Sequence, residues 1–167
     1  MKYIVYILFA VLCILAQEGK KVQEEDSGKF MLVGTFEREA LQDTSFAWWF
    51  NSGHDNYDVD STTLDDLKDK LGDVRISIVM GTWCSDSRRE VPRFYKVLDY
   101  LEYDPAEVTL ISVDRDLKGL DDEVEGKNIK AVPTFIFYHG DEEIGRIIES
   151  PEESLEKDMS KLLSGEK

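Results

Sequence analysis

The feature that most constrains the fold is a cysteine placed between a predicted strand and a predicted helix. Residues 76–80 are apolar except for Ser77 and are mostly β-branched, which predicts a buried strand. Beyond the cysteine, apolar residues recur at helical spacing and predict an amphipathic helix over residues 87–103. Cys84 therefore lies near a helix N-terminus, where unpaired backbone N–H groups and the helix dipole favour a thiolate. Since the thiolate is the reactive form of cysteine, the sequence predicts a nucleophilic sulfur here.

Two further features accompany this cysteine. The local sequence is Trp83-Cys84-Ser85-Asp86-Ser87, Pro92 follows eight residues after the cysteine, and residues 131–135 read Ala-Val-Pro-Thr-Phe. With these three features in this order, the chain resembles the thioredoxin superfamily. Members of that superfamily carry Trp-Cys-x-x-Cys at a strand-to-helix turn, a proline in the next helix and a cis-proline segment. More narrowly, the chain is similar to secreted bacterial thioredoxin-like proteins that have one active-site cysteine. The resemblance covers about residues 63–163.

The resemblance implies a fold and a set of site residues. The fold is α/β, a three-layer α/β/α domain with a mixed central sheet, to which this chain adds an N-terminal helical extension. Cys84 and Ser87 occupy the catalytic positions. Trp83, Val132, Pro133 and Thr134 occupy the substrate-binding positions, and the Val132–Pro133 peptide bond is expected to be cis. Ser85, Asp86 and Arg88 are supporting residues.

This sequence departs from the family pattern at two positions. Ser87 replaces the second cysteine, so the chain cannot resolve a mixed disulfide by an internal thiol, although the Ser87 hydroxyl could donate a hydrogen bond to the Cys84 thiolate. Ile78 stands six residues before Cys84, where the family has a buried acid that takes a proton during resolution. Asp86 opposes a thiolate by its charge, whereas Arg88 could support a thiolate or attract an acidic peptide.

Three interpretations remain open. In the first, Cys84 is a monothiol nucleophile that forms mixed disulfides with exported proteins and is released by an external thiol. In the second, the domain is a non-catalytic module that binds extended peptides beside Pro133 by main-chain pairing. In the third, Cys84 is a peroxidase centre; no proline precedes it where the peroxiredoxin pattern requires one, so this interpretation is the weakest.

Residues 1–16 predict a signal peptide, because a short apolar run after Lys2 ends at Ala16 before a polar residue. Cleavage would remove Cys13 and leave Cys84 as the single thiol of a periplasmic or secreted protein. Contact with a membrane is expected only if the segment is retained.

The net charge of −15 argues against nucleic acid and anionic membranes as partners. The acidic loop around Asp55 and Asp58 lacks the glycine and the final glutamate of a calcium-binding loop, and the two histidines lack partners at ligand spacing. The sequence therefore predicts neither a metal site nor a cofactor.

The rest of the chain divides into three parts. Residues 17–29 are polar and aperiodic and predict a flexible tether. Residues 30–62 predict an extension packed on the domain, with a short helix capped by Thr35 and an aromatic cluster around Trp48 and Trp49. The thioredoxin-like domain is expected to span residues 63–164.

Within that domain the expected element order is helix, strand, helix, strand, loop or helix, strand, strand, helix. The first helix is expected to begin at Thr63 and end at Gly72, and residues 119–128 are the charged loop or helix. A hairpin turns across residues 139–142, and Ser150 opens the capping box of the last helix.

Overall fold

The computed structural model describes residues 19–25 and 27–165, which contain a six-stranded sheet and four α-helices. The strands are β1 (Lys20–Gln23), β2 (Phe30–Phe36), β3 (Val74–Met80), β4 (Val108–Ser112), β5 (Thr134–His139) and β6 (Glu142–Ile148). The helices are α1 (Ala47–Asp55), α2 (Ser61–Asp65), α3 (Ser85–Tyr100) and α4 (Leu155–Ser164). The predicted signal peptide and Cys13 lie outside the described residues.

The sheet is mixed, with the strand order β1-β2-β4-β3-β5-β6. β3 and β4 are parallel and are joined by α3, whereas every other neighbouring pair is antiparallel. β3 lies at the centre, where Ile78 is opposite Leu110 on one side and Phe135 on the other. The prediction of an α/β fold with a mixed central sheet is confirmed, and so is the element order from α2 to α4.

Alternate residues of the central strands enter two separate cores, as a pleated sheet requires. The helix-side core contains Ile78 together with buried side chains from all four helices, including Trp49, Leu64, Phe94 and Met159. The loop-side core consists of Val79, Ile111, Val113, Val132 and Ile136. It is covered by Leu117, Val124 and Ile129, which belong to the connection between β4 and β5.

This covering differs from the expected three layers, because no helix forms between β4 and β5 in the described residues. Residues 121–125 include four acidic side chains, whose like charges disfavour a helix. Leu117 and Asn128 adopt positive φ angles of 60° and 53°, which no α-helix contains. The second face of the sheet is therefore covered by a loop, and four helices lie on the first face.

The N-terminal part also differs from expectation. Lys20–Gln23, inside the predicted tether, form β1 and pair with β2. β2 in turn pairs with β4, so the predicted extension begins with a strand of the central sheet. Thr35 lies within β2 and caps no helix; the short helix is a 3-10 helix at Arg38–Gln42. Hydrogen bonds to β4 override the local helical signal at this position.

In the remainder of the extension, Phe46, Trp49 and Phe50 are buried in the helix-side core. Trp48, in contrast, is 67% exposed. The aromatic cluster thus packs on the domain by three of its four rings.

Helix ends depend on which side chain caps them. α2 begins at Ser61 and not at the predicted Thr63, because the Asp60 carboxylate accepts a hydrogen bond from the Thr63 N–H. It ends at Asp65, well before the predicted end at Gly72. α4 begins at Leu155, because Ser154 accepts from the Lys157 N–H, so Ser150 is not its cap. The hairpin between β5 and β6 is as predicted, with Gly140 at a φ of 60° in its turn.

Candidate functional site

Cys84 is the N-cap residue of α3, four residues after the end of β3. Its backbone is extended, with φ −81° and ψ 131°, and its N–H donates to the Gly81 carbonyl at 2.9 Å. The thiol is free and half-buried. The predicted location of the sulfur at a strand-to-helix boundary is confirmed. Helix N–H groups that lack intrahelical partners surround this position.

The sulfur contacts the predicted proline segment across the fold. Cys84 Sγ donates to the Val132 carbonyl at 3.2 Å, and the Val132–Pro133 bond is cis, as predicted. Pro133 and Thr134 are buried, and the Thr134 hydroxyl donates to the Ala131 carbonyl at 2.8 Å. The structure therefore brings Cys84 together with a backbone segment 48 residues away in sequence.

Trp83 lies on the other side of the site, over the end of β4. Its indole Nε1 donates to the Val113 carbonyl at 2.9 Å. The ring packs on Gly81, where an added Cβ would lie 2.6 Å from the indole, so only glycine fits. Trp83 and Cys84 are adjacent in sequence, yet their side chains contact opposite neighbours of β3.

A cation lies over the face of this indole. Arg115 Cζ is 5.1 Å from the Trp83 ring centroid, and its Nε donates to Glu24 at 2.5 Å. A hydrogen bond from Arg115, which has the larger effect, and one from Ser27 lower the pKa of Glu24 to about 2, so this carboxylate is charged near neutral pH. Sequence reasoning missed both residues, because their contact with Trp83 is non-local.

Ser87 is fully buried, and its hydroxyl accepts a hydrogen bond from the Gly81 N–H at 3.2 Å. No hydrogen bond joins Ser87 to Cys84 in the part of the chain that the structure describes. The expected contact to the thiolate is thus replaced by a contact to the backbone. The reason is geometric: the third residue of α3 faces the turn that precedes the helix, where the Gly81 N–H needs an acceptor.

The charged residues of the motif are largely paired with protein groups. Arg89 bonds Asp86 at 2.7 Å, Glu90 at 2.6 Å and the Ser150 hydroxyl at 2.7 Å. Arg88 Nε donates to the Thr82 carbonyl at 2.6 Å, which holds the turn before Cys84. Asp86 therefore pairs within α3, as does the buried Glu90.

Ser85 is exposed at the start of α3. It makes no side-chain hydrogen bond within residues 19–25 and 27–165. Ile78 lies fully buried in the helix-side core. An acid at the Ile78 position would be surrounded by apolar side chains, and this chain has none there.

A buried threonine connects the site to the N-terminal hairpin. The Thr82 hydroxyl accepts from the Leu32 N–H at 3.1 Å, and the Ser112 hydroxyl donates to the Leu32 carbonyl at 2.8 Å. Both side chains hydrogen-bond to the backbone of Leu32, which belongs to β2 but lies outside the part of β2 that pairs with β4. These bonds attach the N-terminal strands to the turn that precedes Cys84.

Within the described residues, no group of three or more His, Cys, Asp or Glu side chains is placed to hold a metal ion. None of the described helices has the length and apolar character that a membrane crossing requires.

No protein-family model matches the chain, and a search of curated proteins found no match. Among solved structures, the chain is similar to a protein of unknown function from Pseudomonas aeruginosa, at 14% identity over 71% of this chain and 80% of that one, with a TM-score of 0.48. It is also similar to an HIV epitope scaffold, at 14% identity over 72% and 73%, with a TM-score of 0.43. Neither similarity shows a family for this chain.

Proposed function

We propose that this protein is an exported, monothiol member of the thioredoxin-like proteins that exchanges disulfides through Cys84. The observation that carries the proposal is the position of the sulfur. It lies at the N-terminus of a 16-residue helix and 3.2 Å from the carbonyl that precedes a cis proline. The helix N-terminus stabilises a thiolate, and the adjacent backbone offers a place for an extended peptide.

The chemistry would proceed by two thiol–disulfide exchanges. The Cys84 thiolate attacks one sulfur of a substrate disulfide; a Cys84–substrate disulfide forms, the substrate S–S bond breaks, and the second substrate sulfur leaves as a thiolate. An external thiol, as its thiolate, then attacks the substrate sulfur of the mixed disulfide; a disulfide between the external thiol and the substrate forms, the Cys84–substrate S–S bond breaks, and Cys84 leaves as a thiolate. The electrons balance without a cofactor, because each step exchanges one S–S bond for another.

The surroundings of the sulfur support a monothiol route. The described residues contain one cysteine, and Cys13 lies in the predicted signal peptide. Ile78 is apolar and buried in the helix-side core, so it supplies no proton acceptor for resolution. Resolution therefore requires a second molecule, either a small thiol or a protein thiol.

One observation favours the second candidate, a peptide-binding module without catalysis. The Cys84 S–H donates to the Val132 carbonyl, so a protein group already occupies the sulfur. The Ser87 hydroxyl, which could have stabilised the thiolate, is bonded to Gly81 instead. In this alternative the site binds extended peptides and Cys84 contributes packing.

Trapping of partners separates the two candidates. Native protein is quenched with an alkylating reagent, and species disulfide-linked to Cys84 are identified by mass spectrometry. Exchange predicts linked partners that disappear on reduction and in Cys84→Ala, while Ser85→Ala, a matched change at an exposed neighbour, keeps them. Equal capture of the same partners by wild type and Cys84→Ala, without a disulfide, would favour the binding module.

Export is tested separately by the intact mass of the native protein. Loss of residues 1–16 is expected, because the apolar run ends at Ala16. A mass that includes residues 1–16 would contradict a cleaved signal peptide. Exchange by Cys84 is a separate question, which the trapping experiment decides.

A further inference from the structure

Arg88 of α3 carries a positive charge that no carboxylate of the described chain offsets. Its neighbour Arg89 forms ion pairs with Asp86 at 2.7 Å and with the buried Glu90 at 2.6 Å. Arg88, in contrast, forms no ion pair within residues 19–25 and 27–165, and its Nε donates to the Thr82 carbonyl at 2.6 Å. Because that carbonyl is uncharged, the guanidinium keeps its full positive charge next to the start of the helix.

The Arg88 guanidinium lies beside the turn that carries the sulfur. Arg88 is four residues after Cys84, so the two side chains are one helical turn apart. The bond from Nε to the carbonyl of Thr82, two residues before Cys84, directs the guanidinium toward the helix N-terminus. Its two terminal nitrogens make no hydrogen bond within the described residues, and the side chain is only half-buried. These nitrogens can therefore donate to an anion that approaches Cys84.

Other charges around the sulfur occur in opposite pairs. Over the neighbouring indole, Arg115 donates a hydrogen bond to Glu24 at 2.5 Å. Beside the cis proline, the exposed side chains of Lys130 and Glu149 carry opposite charges. Arg88 therefore makes the immediate surroundings of the sulfur more attractive to an anion than the net charge of −15 would suggest.

We propose that Arg88 pairs with a carboxylate of the external thiol that releases Cys84, so that the resolving thiol is a small anion. This inference rests on the disulfide exchange proposed above and names the reactant of its second step. In that step the external thiolate attacks the substrate sulfur, the Cys84–substrate S–S bond breaks, and the Cys84 thiolate leaves. A small thiol fits better than an acidic protein, because the net charge of −15 repels a partner in proportion to the charge that the partner carries.

Alkylation of reduced Cys84 measures this charge preference. Iodoacetate and iodoacetamide both alkylate the thiolate with loss of iodide, and they differ in carrying a carboxylate or a neutral amide. The ratio of their rate constants cancels any change in the thiolate population or in access to the sulfur. In Arg88→Gln this ratio should fall by about two- to threefold, the effect of removing a unit charge roughly 8 Å away in water. An equal ratio in wild type and variant would overturn the inference, even if both rates fall together, since Arg88 would then only hold the turn.

Further variants control for charge and for folding. Arg88→Lys keeps the positive charge, so the ratio should stay as in wild type. Arg75→Gln removes the same charge at the other end of β3, from an exposed pair with Asp141, and it should leave the ratio unchanged. If Arg88→Gln does not fold, Arg88→Met, which keeps the aliphatic stem, takes its place with the same expected fall. A fall of equal size in Arg75→Gln would show that the ratio follows net charge alone and would overturn the assignment to Arg88.

Release of Cys84 from a mixed disulfide tests the second step itself. Cys84 is converted to its methyl disulfide, and the return of the free thiol is followed by intact mass. The releasing thiols are 3-mercaptopropionate, an anion, 2-mercaptoethanol, which is neutral, and cysteamine, a cation. Each thiolate attacks the methyl-bearing sulfur, forms a new disulfide with it and frees the Cys84 thiolate.

The comparison is between the same thiol acting on wild type and on Arg88→Gln. The variant should be released about two- to threefold more slowly by 3-mercaptopropionate, at the same rate by 2-mercaptoethanol and faster by cysteamine. The same change with all three thiols would overturn the inference. These rates are measured on Cys84 itself, so they decide the role of Arg88 whether or not trapping finds partners for the exchange.

Discussion

At the scale of single residues, Ser87 holds the turn that carries the cysteine. Its hydroxyl is the acceptor for the Gly81 N–H, and both groups are buried. Ser87→Ala leaves that N–H without a partner, so the free energy of unfolding should fall by about 1–3 kcal/mol in urea denaturation. Ser85→Ala is the control, because the exposed Ser85 makes no comparable bond. Equal stability of the two variants would show that the Gly81 contact contributes little.

The same position tests the missing resolving thiol. In Ser87→Cys the introduced thiol should form a disulfide with Cys84 and raise the rate of insulin reduction several-fold, because the mixed disulfide can then be resolved internally. The gain should stay modest, since Ile78 supplies no proton acceptor. A rate equal to that of wild type, in a variant whose internal disulfide is proven by mass, would contradict the proposed exchange chemistry.

Arg115 is predicted to orient Trp83 without adding much stability. Arg115→Gln removes the cation from the indole face, so the Trp83 ring should become more accessible to acrylamide in fluorescence quenching. The free energy of unfolding should change by less than about 1 kcal/mol, because Arg115 is exposed and surface ion pairs contribute little. Glu24→Gln should have the same effect, whereas Arg75→Gln, which breaks an exposed pair with Asp141, should leave quenching unchanged.

At the scale of elements, the sequence predicts those strands and helices whose signal is local. β3, β5 and β6 are continuous apolar or alternating runs, and α3 shows a clear helical spacing, so their types follow from the residues alone. β1 has the sequence Lys-Lys-Val-Gln, which becomes a strand only because β2 offers hydrogen-bonding partners. Such pairing across the chain has no local signature.

The candidate site divides in the same way. Cys84 at the helix N-terminus and the cis bond before Pro133 follow from motif spacing and resemblance. The contacts of Ser87 with Gly81, and of Arg115 with Trp83, depend on side-chain directions and on a distant loop. These contacts become visible only when the elements are assembled.

The attachment of β2 gives a prediction at this scale. Thr82→Val removes the acceptor of the buried Leu32 N–H and changes the side-chain volume little. The free energy of unfolding should fall by about 1–3 kcal/mol, and amide exchange at Leu32 should accelerate more than at Ile78. Thr109→Val is a matched control on an exposed face of β4. Equal protection of Leu32 in both variants would show that Thr82 does not hold the hairpin.

At the scale of the whole molecule, the two faces of the sheet are covered unequally. Four helices and most of the buried aromatic rings lie on one face, and a loop with three partly buried apolar residues covers part of the other. Most of the apolar burial that drives folding is therefore on the helix side. Tyr57, Tyr95 and Tyr103 all contact this helix-side core.

These tyrosines give the last prediction, a loss of stability in alkali. Burial raises the pKa of Tyr103 to about 12 and also raises that of Tyr57 and Tyr95, compared with about 10 in an unfolded chain. Because the folded state keeps these protons more tightly, the stabilisation is complete below pH 10 and is lost as the pH rises from 10 toward 12. Urea midpoints at successive pH values should therefore fall over this range. Deprotonation of lysines also changes stability in this pH range, so Tyr103→Phe is compared with wild type. The difference between their urea midpoints should be constant from pH 7 to 9. Above pH 10 this difference should shift in favour of the variant. A difference that stays constant up to pH 12 would show that Tyr103 titrates alike in the folded and unfolded chains.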